Sequence, residues 1–435
     1  MLPDYRTKFA SIVDNRLFSR LPQPQQAFVR EISERHRFTL QELRQVIEIA
    51  LDLEIWGSGS LQQHWSEEES SQDPKQRKKR AVQRLQAHWS RLKNEPNHYP
   101  AGQENPICGI KVEVHNQPKS QLGLGFCPVA SPRTRCCNLL TLDAVDNCGY
   151  QCSYCSIQSF FSDHQVFFDP SFAEKLDRLE LDEKQTFHIG TGQSSDSLMW
   201  GNSHGVLDAL IRFARNHPNV ILEMKTKSAN ITRLLDSELP PNLICTWSLN
   251  PQVIIDHEEH GSAPLAKRLE SAQRLAQQGT LVGFHFHPLI HYRDWRRDYG
   301  EIFHQLQQEF IPSQIAMVSF GTLTFTKSVI RKIRERGGSN QILKMPLVES
   351  DGKLSYPDEI KQQLFSFAYR SFSDRWHQSV FFYLCMENQR FWESLFGYDY
   401  PSNTVFEQAM KNSYMKKIER LKNPPAHRIA TGKTR

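Results

Sequence analysis

No apolar run in this chain approaches the roughly 18 residues that a membrane-spanning helix needs, so no membrane association is expected. The opening stretch, MLPDYRTKFASIVDNRLF, scatters charges every few positions. It lacks the apolar core and small-residue cleavage site of a secretory leader, which points to a cytoplasmic protein. Net charge is also small: 53 Lys and Arg against 48 Asp and Glu leave +5, too little to announce a nucleic-acid partner. With 39% hydrophobic and 11% aromatic residues, wholesale disorder is excluded. A length of 435 residues accommodates one large domain and a smaller appendage, each with its own core.

Charge is unevenly spread. Residues 75–93 are strongly basic, whereas residues 66–73 are acidic and Ser-rich. Such runs usually mark a solvated face or linker, the reading adopted here; a contact with nucleic-acid phosphates is the second reading. Nine cysteines in a reducing compartment point to metal or redox chemistry, and seven of them lie between Cys108 and Cys155. Cys245 and Cys385 stand alone and read as inert core residues.

Residues 1–95 read as a helical N-terminal extension, with Leu43, Val46, Ile47, Ile49 and Ala50 on one apolar face. Residues 96–137 form an irregular, Cys-containing connector. Over 138–335, six short apolar runs, starting near residues 139, 186, 219, 243, 280 and 315, alternate with amphipathic segments. Right-handed crossovers would curl such units into an open (β/α)6 partial barrel, with the site at the strands' carboxyl ends. Residues 336–420 read as a mixed segment closing the barrel, its aromatic stretches FSFAYRSF and HQSVFFYLCMENQRFW expected as helices. Residues 421–435 read as a disordered tail.

The strongest chemical signal is Cys148-Gly-Tyr-Gln-Cys152-Ser-Tyr-Cys155, directly after the first strand. Three thiolates on an iron-sulfur cube leave its fourth iron open to a small-molecule chelate. This CxxxCxxC loop after strand one of a βα repeat resembles the radical S-adenosylmethionine superfamily. Residues 138–335 more closely resemble its spore photoproduct lyase-like branch, which reverses a thymine-dimer lesion in DNA. Tyr154 between the last two cysteines, Ser194-Ser195-Asp196, Lys227 in KTKSAN, Ser248 in WSLN, PLIHYRDWRRDY and Phe325-Thr326 carry that resemblance.

It implies a 4Fe-4S cluster on Cys148, Cys152 and Cys155, with S-adenosylmethionine chelating the open iron. An electron from a flavodoxin- or ferredoxin-like donor would release a 5′-deoxyadenosyl radical that abstracts a substrate hydrogen. Gly190-Thr191-Gly192-Gln193 occupies the place of the turn that binds the methionine ammonium, with a neutral Gln carbonyl instead of a carboxylate. Ser194, Asp196, Lys227, Ser248 and Asn250 are expected at the cofactor, and Tyr154 as a radical relay or as packing over the loop. His285 and His287 share one strand face, either lining the cavity or buried in the core.

One departure stands out. The lyases carry a hydrogen-donating cysteine just before the Ser-Asp pair, where this chain has Gln193, and an amide cannot donate a hydrogen atom to a carbon radical. The leading expectation is therefore an enzyme of this family acting on an unidentified substrate. DNA photoproduct repair, with nucleic acid as partner, is the second. A non-catalytic iron-sulfur or zinc-binding protein is the third. Cys108, Cys127, Cys136 and Cys137 could serve a second metal, although adjacent thiols are poor geometry for one ion and no CxxC pair is present.

Overall fold

The computed structural model describes residues 5, 9, 16–67, 73–100, 102, 112–127, 133–161, 164–338, 340–350 and 352–422. The expected disordered tail and Cys108 fall outside the described residues, apart from the last turn of a helix at 421–422.

Eight strands form one sheet in chain order: β1 (Leu124–Phe126), β2 (Leu140–Leu142), β3 (Phe187–Thr191), β4 (Val220–Thr226), β5 (Leu243–Ser248), β6 (Leu281–Leu289), β7 (Ile315–Thr322) and β8 (Phe381–Leu384). Strands β2 through β8 run parallel and β1 joins antiparallel at one edge. The six expected units are thus present as an open, curled sheet. The first strand is only Leu140–Leu142, shorter than the apolar run that signalled it.

The helices expected within HQSVFFYLCMENQRFW need correction, because Phe381–Leu384 is a strand beside β7. A short apolar run cannot be told from a buried helix by periodicity alone. Strand β7 is buried at every position, so its open edge takes another strand.

Helices cover the outer face because their apolar stripes match it. Helix α1 (Arg16–Arg20), α2 (Gln23–His36), α3 (Leu40–Ile55) and α4 (Pro74–Asn94) form the N-terminal bundle. In α3 the Thr39 side chain and Glu42 form a reciprocal capping box. The basic run falls on α4, which buries only Ala81, Val82 and Leu85 and leaves the rest of its charge at the surface. Helix α5 (Val206–Asn216), α6 (Leu265–Gln277) and α7 (Trp295–Glu309) make crossovers, followed by α8 (Lys327–Arg336) and α9 (Asp358–Arg370). The long α10 (Asn403–Lys422) lies against β4 and β7 and sets Tyr414 edge-on to His188, with ring centroids 5.5 Å apart.

The N-terminal bundle is tied to the barrel by one buried cation. Arg334 on α8 donates to both carboxylate oxygens of Asp52, at 2.8 and 2.9 Å, and to Glu48 at 2.9 Å. Asp52 is 1% exposed and also accepts from Trp89. Truncating the cation strands a buried carboxylate, so Arg334→Met should cost about 3–5 kcal/mol in denaturant unfolding. Adding Asp52→Leu should recover more than half of that loss.

Candidate active site

The cysteine loop is shaped before any partner reaches it. Asn147 turns the chain with φ 65° while its side-chain amide donates to the Gln165 carbonyl at 2.8 Å. Gly149 passes so close to the next unit that a Cβ there would lie 2.4 Å from Met199. Gln151–Cys152 then pairs antiparallel with Glu259–His260, and the Ser153 amide donates to the Glu258 carbonyl at 2.9 Å.

Two buried glutamates complete the anchorage. The Ser153 hydroxyl donates to the Glu258 carboxylate and the Tyr154 hydroxyl to Glu259. Glu259 also accepts from Asn250 at 2.7 Å and from Arg268 at 2.6 Å, a pair with both side chains 0% exposed. Burial works to raise its carboxyl, but Arg268 and Lys227 outweigh burial and hold it at about 2. Glu258, without such a cation, is pushed up by burial to about 7. Sequence reasoning missed Glu258, Glu259 and Arg268. A short acidic pair between two units looks the same as a solvated turn until the fold buries it.

At the carboxyl ends of the strands lies a cavity of about 270 Å³. Cys148, Cys152, Cys155 and Tyr154 form one wall; Gly192, Gln193, Ser194, Asp196, Lys227 and Ser248 contribute from β3, β4 and β5. Gly192 sits at φ 88°, where a Cβ would meet the Lys225 carbonyl at 2.5 Å, so this turn requires glycine.

The other expected site residues are placed differently. Gly190 packs on Leu139 within the sheet, and Thr191 bonds Ser197 at 2.7 Å away from the main cavity. Asn250 is buried behind the loop, bonded to Tyr154, Tyr299 and Glu259. Asp196 reaches the cavity wall, but its carboxylate is spent on Thr226 and on the backbone amides of Leu198, Met199 and Lys227. It braces the turn. Lys227 reaches over the Tyr154 ring, 5.5 Å from its centroid and 4.0 Å from Glu259.

Both histidines line the cavity. His285 is fixed by Ser319 at 2.7 Å and Glu223 at 2.8 Å, and Glu223 also holds His188 at 2.8 Å. The buried Nε2 of His287 has no hydrogen-bond partner. Four further thiols share the cavity: Cys127, Cys136, Cys137 and Cys385, beside the half-buried Lys225. Cys385 is thus a cavity residue rather than inert core, because β8 carries it to the strand ends. Cys245 is fully buried in β5, as expected. Cys136 is lowered to about 6, chiefly by its hydrogen bond from Cys137. The Gln193 amide donates to the Cys127 sulfur at 3.6 Å, so a thiol lies beside the position where the resemblance called for one.

The donor set fits a cluster. The three loop cysteines are unbridged and face one cavity. Among the described residues no three His, Cys, Asp or Glu side chains, the loop cysteines included, are gathered closely enough to hold a single metal ion. Burial pushes the Cys148 thiol up to about 12 and raises Cys152 and Cys155 as well, a cost that coordination to a metal removes.

Comparison with known proteins agrees with this geometry. Residues 142–355 match the family model for spore photoproduct lyase. The spore photoproduct lyase of a Geobacillus species is 24% identical over 196 residues, covering 43% of this chain and 58% of that protein. That of Bacillus subtilis is 31% identical over 85 residues, covering 20% and 25%. The chain therefore spans about three fifths or less of the curated relatives it matches. Among solved structures, spore photoproduct lyase complexed with dinucleoside spore photoproduct superposes with TM-score 0.51 and 19% identity, covering 66% of this chain and 87% of that one. A double mutant of the lyase with bound S-adenosylmethionine and the dinucleoside gives 0.51 at 18%, covering 70% and 94%. The matched segment, just under half of the chain, holds the cysteine loop, the Gly192–Asp196 turn and Lys227, and it is similar to the radical S-adenosylmethionine, spore photoproduct lyase-like family.

Proposed function

We propose that this protein is a radical S-adenosylmethionine enzyme in which Cys148, Cys152 and Cys155 hold a 4Fe-4S cluster. The observation that carries the reading is that these three thiols all line the cavity that the strand ends also line. When bound, the cluster supplies one-electron cleavage of the sulfonium, giving methionine and a 5′-deoxyadenosyl radical that abstracts a substrate hydrogen. The chain's own residues bind and orient. Gln193 offers a neutral acceptor to the methionine ammonium, Lys227 a cation to its carboxylate, and Ser248 a hydroxyl to the adenosyl group. Tyr154, its hydroxyl already committed to Glu259, packs as a wall between loop and cavity.

DNA photoproduct repair is the second reading, favoured by the dinucleoside bound in the solved lyases and by a thiol beside Gln193. The hydrogen returned to substrate would then come from Cys127 or from the 5′-deoxyadenosine methyl group.

Anaerobic reconstitution, followed by dithionite and S-adenosylmethionine, should yield 5′-deoxyadenosine from the wild type and none from Cys152→Ala. A zinc-loaded protein, or a reducible cluster that never cleaves the cofactor, would sink the proposal. Glu259→Leu removes the loop's anchor, so iron and sulfide per chain should fall severalfold while Glu259→Gln retains most of both, with circular dichroism checking that each variant folds. With irradiated DNA in D2O, deuterium in the repaired product that disappears in Cys127→Ala assigns the donor to that thiol; unlabelled product assigns it to 5′-deoxyadenosine.

A further inference from the structure

A second cavity, of about 450 Å³, lies on the other side of the cysteine loop. Cys148, Tyr150 and Phe161 line both cavities, so the loop itself is the partition between them. The outer cavity is built from α1, α8 and the loop's flank, and no residue of the eight-stranded sheet lines it.

Its chemistry is one-sided. Arg16, Arg20, Lys332 and Arg336 line it with His164, against Glu335 as the one carboxylate among the described lining residues. Glu335 is taken up by Arg331 at 2.7 Å. The buried Nη1 of Arg336 and Oε1 of Gln151 have no hydrogen-bond partner. Beside this basic rim the short helix Gln158–Phe160, which packs on α8, exposes Phe160 at 77%.

An exposed aromatic beside a patch of like charge is the pattern of a small, electrostatically steered interface. Electron-transfer encounters are of this kind, burying less than about 1,200 Å². Position favours electron transfer over substrate binding. A substrate must enter the inner cavity, whereas an electron need only come close to the cluster, and its transfer rate falls steeply with distance.

We propose that an acidic one-electron carrier protein docks on this outer face, over Arg16, Arg20 and Arg336, and reduces the cluster through the loop. This rests on the cluster reading above and adds to it where the partner binds. One electron leaves the carrier's reduced centre and enters the cluster; no bond is made or broken and no proton is required.

Purified reduced flavodoxin is the probe, and dithionite, a small reductant that needs no docking surface, is the control. In the reconstituted protein, Arg16→Glu with Arg20→Glu should slow cluster bleaching by flavodoxin at least tenfold at low salt, and weaken flavodoxin binding in titration calorimetry to match. Bleaching by dithionite should stay within twofold of wild type, and high salt should slow the wild type toward the variant. Lys75→Glu with Lys79→Glu on α4 makes the same charge change elsewhere and should leave both rates unaltered. Equal flavodoxin rates in wild type and the α1 variant would overturn the proposal. So would loss of duplex-DNA binding by that variant with flavodoxin reduction intact, which would give the surface to nucleic acid. A wild-type protein that dithionite cannot bleach would remove the cluster reading, and this surface's role with it.

Discussion

The buried pair of Glu259 and Arg268 is the constraint on which the site depends. Arg268, reaching from α6, ties Glu259 to Ser262 and to the Ser248 and Ala263 carbonyls. Glu259 in turn holds Tyr154 and Asn250, and its backbone pairs with Cys152. A fully buried ion pair is not cheap in stability, and an apolar replacement of both partners is often tolerated elsewhere. What this pair supplies is position. The eight-residue loop carrying three thiols is held at two points, Tyr154 on Glu259 and Ser153 on Glu258.

The barrel interior extends the same logic in layers. Glu223 accepts from His188, Thr246 and His285, which joins β3, β4, β5 and β6 at one level. Two residues further along β4, Lys225 enters the cavity; two further again, Lys227 does so. Each inward strand position thus converts a polar, satisfied floor into a charged ceiling facing the thiols. Helix α10 closes the open side with Phe406 and Tyr414.

Much of this was legible in one dimension. The three-thiol spacing, the six βα units and the pairing of His285 with His287 on one face are local patterns, set by periods of 2 and 3.6 residues. The same period could have flagged Lys225, since it shares a face with Lys227. By contrast, Gly190, Thr191 and Asn250 lie near the site in sequence and outside its cavity in space: Gly190 packs on Leu139, Thr191 is bonded to Ser197, and Asn250 is held by Tyr154, Tyr299 and Glu259. Strand β8 was hidden for another reason: Phe-Phe-Tyr-Leu carries no period of its own, and its pairing with β7 is decided by an edge more than fifty residues away.

The sequence alone determined the three-thiol loop, the parallel sheet and the likeness to the family, because each depends on residue types at short, fixed spacings. Only the tertiary structure decided which buried carboxylates hold the loop, that Cys127, Cys136, Cys137 and Cys385 gather in the cavity, and that the loop's outer face is basic. Those facts join residues far apart in the chain, as Cys127 and Cys385 meet in one cavity and Arg16 and Arg336 in the other. Burial and charge partnership over such separations are properties of packing, and no local pattern encodes them.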